Sequence, residues 1–350
     1  MLKIIDKIIL IFTIPMLVGL VGAYSARYID PNTWVIPSLL GLAYPFLLIS
    51  NILFLLYWIT RWHKMALVVL AILLLGIPVF MSYYGTNSRS GENEPSDLSI
   101  LSYNVRYFDR YAWTKNKNTR YKLLDYLNRF KGDVACLQEF PVGDNPLKVE
   151  IIHSLSSYKY HYINGNMALF SRKPIIRAQQ IPFDKNYTSS CIYCDIAGKK
   201  DTVRIYSVHL ESYKLGNKER QFVKEITGGS GNDISKGIKN ILSRISKANQ
   251  NRAVQAEQIK RHSLDSPHPV IICGDFNDTP LSYTYRELDN GLKDCFIEKG
   301  RGLGNTYIGE FPSFRIDYIL HSPEYKAVGY SRGSVSLSDH YPITARLKKQ

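Results

Sequence analysis

The first quarter of the chain is dominated by apolar residues, arranged in three long spans at about Ile8 to Tyr24, Val35 to Ile59 and Met65 to Tyr84. Each approaches the roughly 20 residues that a bilayer-crossing helix needs. Pro15, Pro45 and Pro78 fall inside the spans and are tolerable as kinks in a bundle. Trp34, Trp58, Trp62, Tyr83 and Tyr84 stand at span ends, as interfacial aromatics do. Asn51 is the strongly polar residue inside a span, with a hydrogen bond between helices as its expected role. AYSA at Ala23 to Ala26 mimics a signal-peptide cleavage site, but two further spans follow at once, which favours a retained anchor.

Gly85 to Asp97 is small, polar and unpatterned, and reads as a flexible tether. From Leu98 onward short strands alternate with amphipathic helices. The expected organisation is a membrane anchor over residues 1–84, a tether over 85–97 and an α/β domain over 98–350. Between Tyr213 and Arg261 lies an apparent insertion. Ile238, Ile241, Leu242 and Ile245 recur there at helical spacing. A second helix, about Asn251 to His262, is expected to pack on a sheet through Ala253, Ala256 and Ile259.

Charge adds a partner class. The chain holds 44 Lys and Arg against 30 Asp and Glu, a net +14. The anchor carries little of this, so the remainder is basic and favours anionic partners. Lys3, Lys7, Arg61 and Lys64 flank one side of the spans, and Arg27 and Arg89 the other. That bias puts the N-terminus in the cytoplasm and the α/β domain outside, in the periplasm of a bacterium, with the anchor in the cytoplasmic (inner) membrane. The five cysteines (Cys136, Cys191, Cys194, Cys273 and Cys295) have no regular spacing and form no disulfide framework. Cys191 and Cys194, three apart on a strand, face opposite ways and make a poor metal or redox pair.

The chemistry lies where strands end. Leu98 to Val105 ends near Asn104 and Arg106, and Asp133 to Phe140 at Gln138 and Glu139. Val203 to Ser212 puts His209 and Glu211 on one face by alternation. The apolar run Val270 to Cys273 leads through Gly274 to Asp275, Asn277 and Asp278. Phe314 to Leu320 embeds Asp317, and Ser338 to Ile343 carries Asp339 and His340. No Cys/His cluster has zinc spacing, and GGSG at Gly228 to Gly231 lacks the context of a phosphate loop. Carboxylate and amide oxygens suit a hard cation such as Mg²⁺ or Mn²⁺. Beside histidines and an arginine, such a cation suits attack of water on phosphorus.

The segments LSYNVR, CLQEF, MALFSR, SVHLES, GDFNDTP, RIDYIL and SDHYPI, in that order, resemble the motifs of the endonuclease/exonuclease/phosphatase superfamily. The resemblance runs from about residue 97 to the C-terminus and leaves the anchor outside. It implies a four-layer α/β/β/α sandwich, here preceded by an all-α bundle of three transmembrane helices. It also implies a metal-dependent hydrolase of phosphate esters. Glu139 would be the principal ligand of Mg²⁺ or Mn²⁺, with Asn104 and Asp339 assisting the metal site. Asp275 would align or deprotonate the water, and Asn277 would hold phosphate or water. His340, oriented by Asp317, would contact the scissile phosphate. Arg106 would bind phosphate, and His209 would bind phosphate or protonate the leaving group. The deoxyribonuclease branch pairs that histidine with an acid on a neighbouring strand. Here Tyr158 to Phe170 holds no acid, only Asn164 and Asn166. Asp278 and Thr279 are read as turn formers, and His161, His262 and His268 as surface residues.

Three functions fit these readings. The first is a phosphodiesterase acting on nucleic acid outside the cytoplasmic membrane. The second is the same chemistry on a phospholipid headgroup or inositol phosphate. The third is a catalytically silent, membrane-anchored binding protein. The expected partners are the phosphodiester substrate and the bilayer itself.

Overall fold

A computed structural model describes residues 3–87, 94–114, 116–143, 146–183, 189–198, 201–213, 234–309 and 314–350, without the side chains of residues 234–236. Arg89, Gly228 to Gly231 and residues 214–233 of the expected insertion lie outside the described residues. The chain forms two compact units. One comprises Met1–Phe80, Glu211–Val254 and Thr279–Glu287, and the other comprises Met81–Leu210, Gln255–Asp278 and Leu288–Gln350.

In the first unit, helix α1 (Ile4–Ser25) is long and apolar enough to cross a membrane. The second expected span is broken. Helix α2 (Ile36–Leu42) and helix α3 (Tyr44–Thr60) meet at a bend of 71°. Pro45, at the start of α3, has no N–H to donate, and its ring crowds the carbonyl four residues earlier. The third span yields only α4 (Met65–Leu75), 11 residues long, and the short α5 (Ile77–Met81) after Gly76. Among the described residues, the expected three full spans therefore reduce to one helix of spanning length, or two if the bent pair counts as one. Asn51 donates to the Met16 carbonyl at 3.0 Å, the interhelical bond expected of it. The same unit includes Thr279–Glu287, whose side chains meet the α1–α2 connection. Arg27 lies over the Tyr285 ring at 5.7 Å and Arg286 over the Tyr28 ring at 5.0 Å. A Cβ at Gly41 would meet Ala26 at 2.8 Å and the Leu281 carbonyl at 3.6 Å, so only glycine permits this approach.

The second unit is a sandwich of two six-stranded sheets. One holds, in spatial order, Tyr325–Arg332 (β13), Ile343–Lys349 (β14), Leu98–Asn104 (β2), Val134–Gln138 (β3), Met167–Ser171 (β5) and Tyr160–Asn164 (β4). The other holds Lys293–Asp294 (β10), Asp317–His321 (β12), Val270–Asp275 (β9), Thr202–His209 (β8), Ser190–Ala197 (β7) and Ile175–Ile181 (β6). The period of two sorts the strands cleanly. Ile100, Val134, Cys136, Met167 and Leu169 face the inner core, with Ile192, Ile205, Ile271 and Ile319. Their neighbours Leu101, Tyr103, Ala135, Leu137 and Phe170 pack outward on Leu123 and Leu127 of α6 (Thr119–Arg129) and Ile151 of α7 (Pro146–Ser154). Each fully buried aliphatic side chain contributes about 1.5–3 kcal/mol.

On the other outer face lies the C-terminal part, from Gln255, of helix α8 (Ile234–Leu264). The two helices expected on either side of residues 246–250 are one, Ile234–Leu264. His262, expected at the surface, is half-buried on this face, its ring 2.9 Å from the Tyr206 hydroxyl and against the ring of Tyr193. Burial pushes its imidazole below the usual range. All five cysteines are buried and unbridged.

The expected tether starts in paired structure. Tyr84–Thr86 (β1) pairs with Arg301–Leu303 (β11), and Asn87 donates to the carbonyls of Ile297 and Gly300. At its far end, the Asp97 N–H donates to the Leu347 carbonyl.

Candidate active site

Strand register assembles the site. β2 and β3 run parallel with Asn104 beside Gln138, so Asn104 and Glu139 leave adjacent strand ends together. In the other sheet, parallel β8 and β9 set His209 beside Asp275, and antiparallel β12 sets Asp317 on the other side of Asp275. Gly274 makes this possible. Its φ is +140° and a Cβ there would lie 2.0 Å from the Val208 carbonyl oxygen, so no larger residue could precede Asp275.

Asp275 is the hub. Its Oδ1 accepts the Asn277 N–H at 2.8 Å and its Oδ2 the Asn104 amide at 3.1 Å. Nε2 of His340 stands 3.6 Å from Oδ2, and Nε2 of His209 stands 3.8 Å from it. Burial pushes the Asp275 carboxyl up to about 6, against the pull of the His340 charge. Asp317 Oδ2 holds Nδ1 of His340 at 2.9 Å. The Asp317 backbone and that of Ile316 both donate to the Thr306 hydroxyl. Burial alone would depress His340, but the carboxylates of Asp317 and Asp275 outweigh it and hold the imidazolium well above its ordinary range. The Tyr307 ring packs edge-on against that imidazole, with centroids 5.3 Å apart.

Glu139 sits at φ +50°, an uncommon conformation for a non-glycine residue, as do Asn277 at +54° and the run Arg106 to Asp109. Its Oε1 accepts from the Asn104 amide at 3.2 Å and lies 3.7 Å from Nε2 of His209. Burial and the nearby Asp339 charge push its carboxyl up. A buried carboxyl raised by a second carboxylate favours added positive charge, and these oxygens fit a hard divalent cation. Asp275, Asp317 and His340 also form a tight group of candidate ligands. Those three are engaged with one another and with their neighbours, as Glu139 is with Asn104 and His209.

Other expected site residues are placed less directly. The Asn104 Oδ1 accepts the Arg106 N–H at 3.1 Å, so the amide orients two carboxylates through its nitrogen. Asp339 is paired with Arg106 at 2.9 Å, and the Arg106 guanidinium lies 4.4 Å from the centre of the Trp113 ring. The Asn277 amide nitrogen donates back to the Leu210 carbonyl at 3.0 Å. Strand β8 ends at His209, so alternation does not extend to Glu211. Asn166 fills the place of the missing acid, its Nδ2 3.4 Å from Nδ1 of His209, whereas Asn164 bonds the Tyr162 hydroxyl. With the amide donating, Nδ1 accepts and Nε2 carries its proton toward Glu139 and Asp275. No local pattern distinguishes Thr306 and Tyr307 from packing residues, whereas Trp113 is one of the aromatics that follow the first strand and could stack on bases.

The sequence matches the Endonuclease/Exonuclease/phosphatase family over residues 101–340. A domain of unknown function (DUF8431) matches over residues 6–83. No curated protein matches the chain. Similar solved structures include an endonuclease/exonuclease/phosphatase from Bacteroides vulgatus, with a TM-score of 0.54, 15% identity, and coverage of 73% of this chain and 100% of that one. Another is D. rerio TDP2 complexed with single strand DNA product, with a TM-score of 0.53, 17% identity, and coverage of 72% and 99%. A functionally unknown conserved protein from Enterococcus faecalis V583 has a TM-score of 0.53 and 14% identity, with coverage of 72% and 100%. At such identities the likeness is one of fold.

Proposed function

Since this chain belongs to the endonuclease/exonuclease/phosphatase family, we propose that it is a membrane-anchored, divalent-metal-dependent phosphodiesterase acting on nucleic acid. The observation that carries the chemistry is Asp275, buried between two histidines and a raised Glu139 carboxyl. Glu139, with Asp339 near it and Asn104 orienting it, would hold Mg²⁺ or Mn²⁺, which when bound neutralises charge on the phosphoryl oxygens.

The side chains do the rest. Asp275, fixed by the Asn277 N–H and the Asn104 amide, aligns the attacking water and accepts its proton. A carboxyl near pH 6 is a competent base at neutral pH. His340 is kept protonated by Asp317 and donates Nε2–H to a phosphoryl oxygen as charge grows there. His209 directs its Nε2 proton to the phosphate or the leaving oxygen. Protonating a leaving oxygen needs the imidazolium, with the Asn166 amide turned so that its oxygen accepts from Nδ1–H, and Glu139 and Asp275 supply the charge that Asn166 cannot. Arg106 contacts phosphate from the Asp339 side.

Nucleic acid is favoured by the aromatics beside Arg106. Tyr111 is 72% exposed and Trp113 is 37% exposed, leaving ring faces on which bases can stack. Anchoring is supported by α1, of whose apolar window only 22% is buried, a pattern that water would not tolerate but lipid would. The anchor favours the second reading, a phospholipid headgroup as substrate, because it puts lipid within reach. A periplasmic position behind a bacterial inner membrane is the further part of this proposal.

The test is hydrolysis by the full chain in vesicles, over plasmid DNA, RNA, sphingomyelin, phosphoinositides and a chromogenic diester. Each is run with Mg²⁺, with Mn²⁺ and with EDTA, alongside Asp275→Asn. Metal-dependent cleavage of DNA or RNA, absent in the variant, is expected. Cleavage of lipid alone would establish the second reading, and no turnover on any substrate would reject both.

A further inference from the structure

The chain leaves the helical unit at Phe80 and enters the sandwich unit at Met81. From Ser82 to Asn87, across the start of the expected tether, every residue is engaged with another stretch of the sandwich unit. The Ser82 carbonyl accepts from the Arg315 guanidinium at 2.7 Å, and the Tyr83 carbonyl from the Gly304 N–H at 3.1 Å. Tyr84, Gly85 and Thr86 pair with Leu303, Gly302 and Arg301. The Asn87 side chain donates to the Gly300 carbonyl at 3.1 Å. A Cβ at Gly85 would lie 2.3 Å from that same carbonyl oxygen, so the pairing leaves no room for a side chain there. A segment that only spans a distance needs none of these partners.

The partners of this segment are the residues that hold Asp317. Arg315 precedes Asp317 by two positions and is 1% exposed. Its guanidinium lies over the rings of Phe296 and Tyr318, at 4.3 and 4.6 Å, and also bonds the Asp294 carboxylate. A planar fork that serves two acceptors is fixed only while both stay in place. A Cβ at Gly304 would meet the Arg315 side chain at 2.8 Å, so the chain beyond β11 runs directly against Arg315. Two residues later, the Thr306 hydroxyl accepts the N–H groups of Ile316 and Asp317, and the Thr306 carbonyl accepts the Tyr341 N–H at 2.7 Å. Tyr307 forms a backbone bridge with His340. Residues 304–307 are thus bonded to the exit segment at one end and to both members of the Asp317–His340 pair at the other.

We propose that residues 82–87 are a positioning element of the active site, with Arg315 as the positioning residue that links them to Asp317 and so to the His340 imidazole. This rests on the phosphodiesterase reading above and adds a part to its machinery. A side chain that meets developing charge has to keep its place and angle, and the packing and hydrogen bonds behind it decide whether it does. Withdrawing residues 82–87 would free the Arg315 guanidinium at one end and leave residues 304–307 without support along one edge. Glu139, on the other sheet, would keep its own support. The hydrolase is therefore complete only with the stretch of chain that leaves the helical unit.

The test uses the full chain, metal-free for amide hydrogen exchange and with Mg²⁺ for turnover of a chromogenic diester. Gly85→Val forces β1 away from β11. It is expected to speed exchange severalfold in the peptide carrying Ile316 and Asp317, and to leave residues 98–104 and 134–138 as in the wild type. Its kcat should fall by about 10²-fold with KM unchanged. Arg315→Lys keeps the charge but loses the fork, and should lower kcat in the same way. The double variant should be no slower than the slower single, since both changes act along one path. Unchanged exchange and kcat in Gly85→Val would overturn the proposal. Faster exchange throughout both sheets would overturn it too, as would a wild-type kcat despite faster exchange at residues 316–317, or effects that multiply in the double variant. The expected exchange pattern in a chain that turns over no diester would remove the phosphodiesterase reading and leave the hold of residues 82–87 on Asp317 established.

Discussion

Asp6, in the helical unit, and Asp275, in the sandwich, are both almost wholly buried, at 4% and 1% exposure. Their surroundings differ. Asp6 accepts two bonds from the Arg61 guanidinium at 2.9 Å, one from the Tyr57 hydroxyl at 2.7 Å and one from the Lys3 N–H at 3.0 Å. Nearby, the Trp58 indole donates to the Thr13 hydroxyl, and Asn51 donates to the Met16 carbonyl. The chain itself supplies a full cation and a complete set of donors. Asp275 receives two neutral donors, and its two histidines stay 3.6 and 3.8 Å away. Glu139 and Asn277, beside it, hold left-handed backbone that costs about 1–3 kcal/mol per residue. A buried charge that the chain satisfies completely is structure, whereas one left partly unmet in strained surroundings is prepared for something the chain does not contain.

The comparison can be broken most decisively at its centre. Asp275→Asn and His340→Ala should each lower phosphodiester turnover by roughly 10²–10⁴-fold. Asp275→Asn should also raise the melting temperature of the metal-free protein. The shift from 3.8 to about 6 corresponds to a cost of about 3 kcal/mol for the ionised form. Because this carboxyl is raised by folding, the cost is present in full above pH 6 and fades as pH falls from 6 toward 3.8. The raised His340 acts in the same direction, its stabilisation being complete below pH 6.5 and lost on alkaline titration. Mild acidification should therefore stabilise the metal-free wild type more than Asp275→Asn. A melting temperature lowered by the variant, or insensitive to pH, would put Asp275 in the same class as Asp6.

Glu139→Gln tests the missing charge directly. Mg²⁺ or Mn²⁺ at about 100 times its dissociation constant should stabilise the wild type by about 2.7 kcal/mol, seen as a melting shift that the variant lacks. An equal shift in both would move the metal away from Glu139. In the helical unit, Asp6→Asn strips Arg61 of its carboxylate and should lower the melting temperature, with turnover per folded molecule unchanged. A turnover loss without a stability loss would show that this cluster is more than scaffold. The smallest effect is expected at Asn166. Restoring an acid with Asn166→Asp, beside Nδ1 of His209, should move the alkaline limb of the pH–rate profile up by about 1 unit. An unmoved limb would remove His209 from proton transfer.

Much of the sandwich was legible because β strands with one face on each core alternate strictly, as Ile100 and Leu101 or Cys136 and Leu137 do. The site was legible for a related reason: its residues are polar interruptions immediately after apolar runs. The anchor was not. Pro45 counted as a kink but ends a helix, because whether neighbours satisfy the freed backbone depends on packing. Asp6 and Arg61 are 55 positions apart, and Arg61 alone looked like a solvent-facing flank. Residues 246–250 are polar enough to suggest a break, yet they contain no Pro or Gly to make one, and α8 runs through them. Thr306 serves Asp317 through a single hydroxyl, for which sequence offers no signal.

Asp278 belongs to the sandwich and Thr279, the next residue, to the helical unit. The nine residues from Thr279 to Glu287 find their partners on Arg27, Tyr28 and Gly41. Two domains joined by a simple linker can be exchanged by recombination at one point. Here a foreign segment substituted for residues 1–80 would take from Tyr285 and Arg286 the side chains they stack with. Residues 1–80 and the segment Thr279–Glu287 have to be inherited as a pair, and a side chain at Gly41 would clash first with Ala26, at 2.8 Å.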